Sequence, residues 1–455
     1  MSDIAGVSDN GQSRLRYLFN SFNFNVILVI TSLHLIFIVV FDKVTAFAPD
    51  EVNYIGVFNN LYASDFSLEG YLGWQEGSVS ALRVIYLPAK LLELIGFSDF
   101  YSVRSLSIFY SMLSLCLLLR MASERKIFRL PIRFWLSGAY LVPSIFLWSS
   151  LGLRESFIFF SFIAIFYLMV NPRNLPFGIQ FLLLISASTF FLVSKVYLFG
   201  LLLICLLTSI VVILISKRTI EGKTFKLFWA FLIPLILLPT TTANLVTGAT
   251  ITLESKLYSA TPTPTATATA TASAGGQTLV EFNRQLDKNP ILSWLTSITG
   301  AKNYFDRKLE ATHLPPGSKE ISEKIAQQQT RPASLQDPIS LLVGSYNFLF
   351  VPTPFVDNGS FFLNVQSYES FLWYFYYLIL IILLVGLIHK RYVLNLVTLS
   401  STLFSLGFIA MSALIEINDG TSARHRAVLL IGILVMLATF QQKQPERLED
   451  RNSRF

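Results

Sequence analysis

Residues 177–216 read FGIQFLLLISASTFFLVSKVYLFGLLLICLLTSIVVILIS, a stretch in which Lys195 is the single charged side chain. As one helix this stretch would be about 60 Å long, twice the roughly 30 Å thickness of the hydrocarbon core of a bilayer. A tight turn at Ser194-Lys195 would divide it into two helices of spanning length. The stretch therefore predicts two transmembrane helices in succession, and with them a polytopic membrane protein.

The composition of the whole chain favours the same class. Of its 455 residues 53% are hydrophobic and only 14% are charged, with a mean hydropathy of +0.57. Soluble domains carry about 25% charged residues, so this chain has too few to cover a water-facing surface. The net charge of +7 lies mostly in short loops between apolar runs and gives no reason to expect nucleic acid as a partner. Cys116 and Cys205 lie inside apolar runs and predict no disulfide framework.

Further apolar runs complete the prediction of an all-α polytopic protein with about ten transmembrane helices. No small-residue cleavage site follows the first run, which we interpret as a retained span and not as a signal peptide. The spans are predicted at 24–41, 102–119, 134–150, 156–170, 177–193, 197–216, 227–246, 370–388, 393–415 and 427–440.

The distribution of basic residues predicts the orientation of these spans in the bilayer. With ten spans, six segments rich in Lys and Arg fall on one side, which the positive-inside rule assigns to the cytoplasm. Both termini are then cytoplasmic, and the protein is a multi-pass protein of the cell's inner (plasma) membrane. The six basic segments contain Arg14 and Arg16; Arg120, Arg125, Lys126, Arg129 and Arg133; Arg173; Lys217, Arg218, Lys223 and Lys226; Lys390 and Arg391; and Lys443, Arg447, Arg451 and Arg454.

The two long loops on the extracytoplasmic side contain predicted helices. Within the loop 42–101, the spacing of apolar residues around Tyr54 and over 80–97 predicts two interfacial amphipathic helices, the second with Arg83, Lys90 and Glu93 on one face. The long loop opens with a Thr/Ala/Pro tract that cannot form a core, and two helical segments follow at 279–286 and 319–329. The topology as a whole divides the chain into five parts. They are a cytoplasmic N-terminus at 1–23, an N-terminal transmembrane module at 24–246, an extracytoplasmic loop at 247–369, a C-terminal transmembrane module at 370–440 and a cytoplasmic tail at 441–455.

Residues 49–54, PDEVNY, place an acidic pair just beyond the first span. Two adjacent carboxylates, Asp50 and Glu51, can supply a general base or hold a divalent metal ion through oxygen ligands. Asp50 is also well suited to cap a helix that begins near Glu51, and Glu51 suits the first turn of that helix. Capping and catalysis are compatible, so both roles stay open. The sequence requires no cofactor, and a divalent metal ion is the one this pair would hold.

Arginine side chains are predicted at the outer ends of two spans, with Arg154 before the fourth, and Arg424 and Arg426 before the tenth. A guanidinium binds phosphate through two parallel hydrogen bonds and is always charged. The alternative for each arginine is a side chain that anchors a helix end at the interface. Their joint position on the less basic side favours a phosphate ligand. Lys195 is more simply a solvated turn residue, with phosphate binding as its alternative.

These features together resemble the membrane glycosyltransferases of the GT-C superfamily over residues 24–220. The resemblance rests on the acidic pair after the first span, a tyrosine three residues on, the interfacial helices, and a span that opens with SVRSLS at 102–107. It implies an inverting enzyme that passes a sugar from a polyprenyl-phosphate or pyrophosphate carrier in the bilayer to an extracytoplasmic glycan or lipid acceptor. It further implies a catalytic base at Asp50, an acceptor- or metal-positioning role for Glu51, and substrate or phosphate binding by Tyr54, Arg154, Lys195, Arg424 and Arg426.

Three later segments, at 148–155, 350–355 and 420–426, resemble segments of uncharacterised membrane proteins of bacterial exopolysaccharide clusters. Some of those proteins are grouped with the O-antigen (Wzy-type) polymerases. That resemblance implies the joining of repeat units on undecaprenyl pyrophosphate, with the arginines dominant and Asp50 only a helix cap. A flippase or exporter of the same lipid-linked sugars is the third interpretation.

Overall fold

The computed structural model of the protein describes eleven stretches of the chain that together carry most of the predicted spans. Within them the backbone is almost wholly helical, with one short antiparallel hairpin of strands β1 (Lys126–Ile127) and β2 (Leu130–Pro131). The described residues are 21–41, 50–59, 87–122, 126–127, 130–170, 175–216, 222–237, 338–355, 361–389, 395–415 and 419–440.

The helices follow the apolar runs closely. A further helical stretch at 87–94 precedes α3. The labelled helices are α1 (Ser21–Phe41), α2 (Asp50–Asn59), α3 (Asp99–Met121), α4 (Ile132–Ala139), α5 (Pro143–Ser150), α6 (Glu155–Val170), α7 (Phe177–Ser194), α8 (Val196–Ile215), α9 (Gly222–Leu237), α10 (Pro338–Phe350), α11 (Phe361–Ile388), α12 (Leu396–Ile415) and α13 (Asp419–Thr439).

The described part of the chain contains six helices that are long and apolar enough to cross a membrane. A seventh crossing results if the bent pair α5 and α6 is counted as one span. The described part of the chain is therefore that of a mostly helical, multi-pass membrane protein, as the sequence predicts. The six spans are Asn23–Val40, Asp99–Met121, Phe177–Ser194, Val196–Ile215, Ser367–Ile388 and Leu396–Leu414.

The predicted break within 177–216 is present. Lys195 separates α7 from α8 with a backbone conformation outside the helical region, at φ −153° and ψ 84°. Both helices pack against each other, and α7 also packs against α6. The stretch that decides the fold class therefore forms two consecutive helices of spanning length.

The predicted span at 134–150 is not one continuous helix. It consists of α4 and α5, separated by the turn at 140–142. Pro143 explains the break, because proline lacks the amide hydrogen for a helical bond and disfavours helical geometry at the residue before it. Val142 is accordingly extended, at φ −61° and ψ 124°, and Pro143 occupies the first turn of α5. Hydropathy alone does not distinguish this pair from a single span.

A sharp bend follows α5. The segment 151–154 joins α5 to α6, and the axes of the two helices differ by 106°. Ser107 of α3 supports the bend, because its hydroxyl lies 3.4 Å from the Leu153 carbonyl oxygen and 3.0 Å from the Ser156 hydroxyl. If α6 runs along the bilayer normal, α5 lies nearly in the membrane plane.

Three more of the predicted spans correspond to shorter helices. The helix α6 has 16 residues, and α9, also of 16 residues, contains Pro234 and ends at Leu237, beyond which the predicted span continues outside the described residues. In α13 the apolar portion is His425–Thr439. Both α6 and this portion of α13 are buried almost all around and form the centre of the bundle.

The two predicted extracytoplasmic loops are described only in part. The helix predicted around Tyr54 is α2, and the helix predicted over 80–97 is described at 87–94. Lys90 and Glu93 share one face of this helix, as predicted, and form an ion pair of 2.6 Å; the Lys90 side chain is buried on that face, with its ammonium 4.0 Å from the centre of the Phe58 ring of α2. The Thr/Ala/Pro tract and the segments 279–286 and 319–329 lie outside the described residues. The apolar helix α10 was not among the predicted helices. It packs against α12 and α13.

Contacts between helix termini define two ends of the bundle. At the first, which we name the Arg104 end, the N-terminal turns of α3 and α6 meet α2 and the α7–α8 break. At the second, the Arg120 end, the C-terminal turns of α3 and α6 meet the start of α7. The start of α12 lies beside the C-terminal half of α8, which begins at the Arg104 end, and it meets the end of α13. The contacts are Arg120 over the Tyr167 ring at 5.8 Å, the Gln180 amide to the Leu168 carbonyl at 2.5 Å, the Ser400 hydroxyl to the Ser209 hydroxyl at 2.9 Å, and the Thr398 hydroxyl to the Thr439 carbonyl at 3.3 Å.

Candidate functional site

A buried ion pair fixes the start of α2 to the Arg104 end of the bundle. The Arg104 guanidinium donates from Nε to Glu51 Oε1 and from a terminal nitrogen to Oε2, each at 2.8 Å. The Arg104 side chain is 1% exposed and that of Glu51 is fully buried. A planar guanidinium that engages both oxygens of a carboxylate fixes orientation as well as distance. The pair therefore sets the position of α2 relative to α3.

The bend after α5 completes this arrangement. The backbone amide of Gly152 donates to Glu51 Oε1 at 2.7 Å, so Glu51 joins three separate elements of the chain. A Cβ atom at Gly152 would lie 2.7 Å from Val103 Cγ1 and 3.1 Å from Glu51 Oε1. Glycine is thus the residue that permits the bend to approach α3 and the carboxylate this closely.

Replacement of Gly152 by alanine is expected to lower the free energy of unfolding by about 1–3 kcal/mol, because buried Val103 cannot move aside without strain. Gly178, near the start of α7, has open space where a Cβ would be, so Gly178→Ala is a matched control expected to be neutral. Thermal unfolding of both variants, followed by tryptophan fluorescence in detergent, measures the difference. Equal melting temperatures for the two variants would contradict the close approach at Gly152.

Arg154 lies two residues beyond Gly152, at the same end of the bundle. Its side chain is half-buried, and one terminal nitrogen donates a long 3.5 Å hydrogen bond to the Ser194 carbonyl. Its Nε is buried without a hydrogen-bond partner in the part of the chain that the structure describes. Because Ser194 immediately precedes Lys195, Arg154 and Lys195 are neighbours at this end. Lys195 donates to the Tyr197 hydroxyl at 3.1 Å.

Asp50 and Tyr54 are carried by the helix that Glu51 anchors. Asp50 is the first residue of α2, one position before the helix start that the sequence suggests, and Tyr54 lies one turn further on. Their side chains, like that of Arg424 in α13, lie outside the part that the structure describes. The roles predicted for these three residues therefore stay predictions. The position of Asp50 in the chain nevertheless ties it to the Glu51–Arg104 pair by a single peptide bond.

Arg426 contacts a different set of residues. Its terminal nitrogens donate to the carbonyl oxygens of Leu349 at 3.4 Å and Val351 at 2.8 Å, at the C-terminus of α10. Its Nε is buried without a hydrogen-bond partner among the described residues, and the side chain is 1% exposed. A guanidinium at the C-terminal carbonyls of a helix is a favourable cap. These contacts support a structural role for Arg426 in addition to the phosphate binding that the sequence suggests.

The first turn of α5 binds a buried carboxylate that was not predicted from the sequence. Glu369 of α11 accepts hydrogen bonds from the Ser144 amide at 3.0 Å, from the Ser144 hydroxyl, and from Trp373 Nε1 at 2.7 Å. It also interacts electrostatically with Arg426. A carboxylate at the first turn of a helix satisfies free amide groups and suits the helix dipole. In the sequence, the signal that could have indicated this contact is Glu369 itself, an isolated acidic residue at the edge of an apolar run.

The structure thus places the described site residues, with Glu369 added to the predicted ones, in two groups linked by α5. One group, with Glu51, Arg154 and Lys195, lies after the C-terminus of α5; the other, with Arg426 and Glu369, lies at its N-terminus. The two ends of α5 are about 12 Å apart. The described residues contain no group of three or more His, Cys, Asp or Glu side chains suited to a metal ion, and the divalent metal at Asp50 stays a prediction. Comparison of the chain with protein-family models, curated proteins and solved structures gives no match.

Proposed function

We propose that the protein is an inverting, GT-C-like membrane glycosyltransferase that acts at its Arg104 end. It transfers a sugar from a polyprenyl-linked donor to an extracytoplasmic acceptor in the assembly of a surface polysaccharide or glycolipid. The observation that carries the proposal is the three-way contact of Glu51 with Arg104 and Gly152. This contact holds the start of α2, and Asp50 with it, against the bend that carries Arg154.

In the proposed reaction Asp50 accepts the proton of the acceptor hydroxyl as its oxygen attacks the anomeric carbon. A new glycosidic bond forms, and the bond between the anomeric carbon and the carrier phosphate breaks, with its electron pair passing to the phosphate oxygen. Arg154 stabilises the negative charge that grows there. Charge that is fixed in advance, in a partly dehydrated site, is effective because it needs no reorganisation during the reaction.

The contacts of Glu51 suggest a more specific role for it than the sequence does. Both of its oxygens accept hydrogen bonds, and the side chain is fully buried. In our proposal Glu51 is a positioning residue that holds Asp50 through the backbone of α2. Arg424, Tyr54 and Lys195 remain candidates for contact with the substrate, and Arg426 supports the site by holding the C-terminus of α10.

We further propose ten membrane crossings, with both termini in the cytoplasm and 247–369 outside. The division of helix termini between the Arg104 end and the Arg120 end supports this topology, because each end collects the termini that the charge distribution assigns to one side. In this topology the chain makes its third crossing between the end of α3 and the start of α6, and this crossing is not a straight helix because α4 and α5 are interrupted at 140–142 and α5 is bent by 106° from α6. The Arg104 end then faces the extracytoplasmic side.

Cysteine labelling tests the topology. An impermeant maleimide applied to intact cells is expected to modify Ser273→Cys, in the long loop, and to leave Ser453→Cys, in the C-terminal tail, unmodified. The native cysteines lie in α3 and α8, inside the proposed spans, so the wild-type protein serves as the blank. Labelling of the tail alone would overturn the number of crossings and the assigned sides.

A second candidate function is favoured by the arrangement of the three segments that resemble exopolysaccharide-cluster proteins. Helix α5, which leads into 151–154, packs against α11 and α13, and Arg426 of α13 binds the carbonyls at the end of α10. Segments far apart in the chain thus converge around α5, as a shared site would require. This convergence favours a Wzy-type polymerase as the alternative.

Analysis of the products in membranes, with the lipid-linked sugars of the source cells as donor, distinguishes the candidates. Transfer of a single sugar supports the glycosyltransferase, and a ladder of long products supports the polymerase. A flippase or exporter would move intact lipid-linked sugar and form no new glycosidic bond.

Arg154→Lys tests the phosphate contact. Lysine keeps the charge but loses the planar fork, so transfer is expected to fall about 10–100-fold, while the melting temperature changes little because the one recorded hydrogen bond is long. Arg426→Lys is the contrasting variant, expected to lower the melting temperature because one ammonium replaces a guanidinium that contacts two carbonyls. Full activity of Arg154→Lys at normal protein level would remove Arg154 from the mechanism.

A further inference from the structure

His34 is a fully buried histidine within the first membrane-spanning helix. Its Nδ1 lies 2.6 Å from the Ser150 hydroxyl at the C-terminus of α5, and its ring stacks on Phe146 at 4.2 Å between centroids. Ionisable side chains inside a membrane are costly to bury and usually mark a substrate or proton path. The resemblance and the mechanism above assign no role to His34.

The contacts of Ser150 favour one tautomer of the His34 ring. Serine has a single hydroxyl hydrogen, and the distance of 2.8 Å from its oxygen to the Phe146 carbonyl fits donation there. In this arrangement Nδ1 of His34 donates to Ser150, and Nε2 carries a lone pair. Nε2 is buried and has no hydrogen-bond partner within the described ranges. A buried acceptor of this kind is costly unless a ligand or water donates to it.

His34 is linked to the Glu51–Arg104 pair through the end of α5. Ser150, which binds the ring, is two residues before Gly152, which binds Glu51. Two hydroxyls on the helices that pack against α1, those of Ser149 on α5 and Ser111 on α3, are also buried without hydrogen-bond partners among the described residues. Ser111 is seven residues after Arg104 and therefore shares its face of α3. The helices α1, α3 and α5, which pack against one another, thus carry one acceptor and two hydroxyls of this kind.

We propose that His34 Nε2 accepts a hydrogen bond from a sugar hydroxyl of the lipid-linked substrate, in a subsite between α1, α3 and α5. This deepens the proposed function and rests on it. α1 is a peripheral helix with Leu33, Ile36 and Val39 exposed on its outer side, where lipid would lie. In this proposal a sugar on a lipid carrier enters between α1 and the bundle. Water has the same hydrogen-bonding chemistry and is the competing occupant.

Nitrogen NMR of the imidazole tests the proposal without any transfer reaction. The protein is labelled with ¹⁵N-histidine in lipid nanodiscs, and His34 is assigned by comparison with His34→Asn. Two samples are compared, one with undecaprenyl phosphate and one with the solvent-extracted polyprenyl-linked sugars of the source cells. We expect the Nδ1–H form in both, and an upfield shift of Nε2, the sign of an accepted hydrogen bond, that is larger with the lipid-linked sugars. Equal shifts in both samples would mean water only, and a free Nε2 in both would mean no ligand; either overturns the proposal.

Two substitutions separate the nitrogens in the transfer assay. His34→Asn keeps a donor toward Ser150 and removes Nε2, whereas His34→Gln keeps an amide oxygen near the Nε2 position and removes the donor. A sugar contact at Nε2 predicts that His34→Asn loses transfer about 10-fold or more relative to His34→Gln. The reverse order, or equal activities, assigns His34 to the Ser150 contact alone. If the wild-type protein transfers no sugar, the glycosyltransferase proposal fails while the NMR result still decides the contact at His34.

Discussion

Arg104→Met is expected to lower the free energy of unfolding by about 3–5 kcal/mol, because it leaves the Glu51 carboxylate charged, buried and without its partner. Both side chains of this pair are almost completely excluded from solvent, and two hydrogen bonds of 2.8 Å join them. Among the described residues, the Gly152 amide would be the hydrogen-bond donor that remains to Glu51. Reversible unfolding in mixed micelles, or the melting temperature by tryptophan fluorescence, measures the loss.

The double variant Glu51→Met/Arg104→Met is the control for this prediction. Replacing both members of a buried ion pair by apolar residues of similar volume is often neutral, whereas removal of one is severe. The double variant is therefore expected to be more stable than Arg104→Met, with a coupling energy of about 2 kcal/mol or more. Additive losses would show that Arg104 and Glu51 stabilise the protein independently, and would contradict the three-way contact as the anchor of α2.

The membrane helices were predictable from the sequence because a single physical constraint produces them. Within a bilayer every backbone polar group must be satisfied inside the segment, so a long apolar run forms a helix. The break at Lys195 follows equally directly, since residues 177–216 are too long for one crossing. The start of α2 at Asp50 also agrees with the local pattern to within one residue.

The break within 134–150 shows where the same reasoning fails. The averaged hydropathy stays high throughout this region, although Pro143 disfavours helical geometry at Val142. Proline is tolerated in many membrane helices, so its presence alone does not decide between a kink and two separate helices. Here Glu369, 225 residues away, binds the amide of Ser144 and stabilises a new helix start.

The partners of the buried charges were beyond the reach of local patterns. Glu51 and Arg104 are 53 residues apart, and each alone fits a helix cap or an interfacial anchor. Arg426 likewise matches a phosphate ligand by residue type, whereas its guanidinium donates to two carbonyl oxygens at the end of α10 and interacts with Glu369. A charged residue at a helix end indicates that a partner exists. Which partner it is depends on packing between distant helices.

Asp50→Asn is expected to give a folded protein that has lost about 10²–10⁴-fold of its transfer activity, the usual contribution of a general base. Asparagine has the size of aspartate and caps helices about equally well, so a purely structural Asp50 would tolerate the change. Asp99→Asn is the matched control, because Asp99 also begins a helix and accepts a hydrogen bond from Asn59 at 2.8 Å. It is expected to retain nearly full activity.

The result of this substitution also decides between the two enzymatic candidates. The assay uses membranes with equal amounts of each variant and the lipid-linked sugars of the source cells as donor, and the melting temperature of Asp50→Asn must match that of the wild type. An inactive, folded Asp50→Asn together with an active Asp99→Asn assigns the base to Asp50, because the two substitutions differ only in position. If Asp50→Asn keeps nearly full activity while Arg154→Lys is inactive, the carboxylate is a helix cap and stabilisation of the carrier phosphate dominates. The Wzy-type polymerase is then the better proposal, and the assignment of the base to Asp50 is wrong.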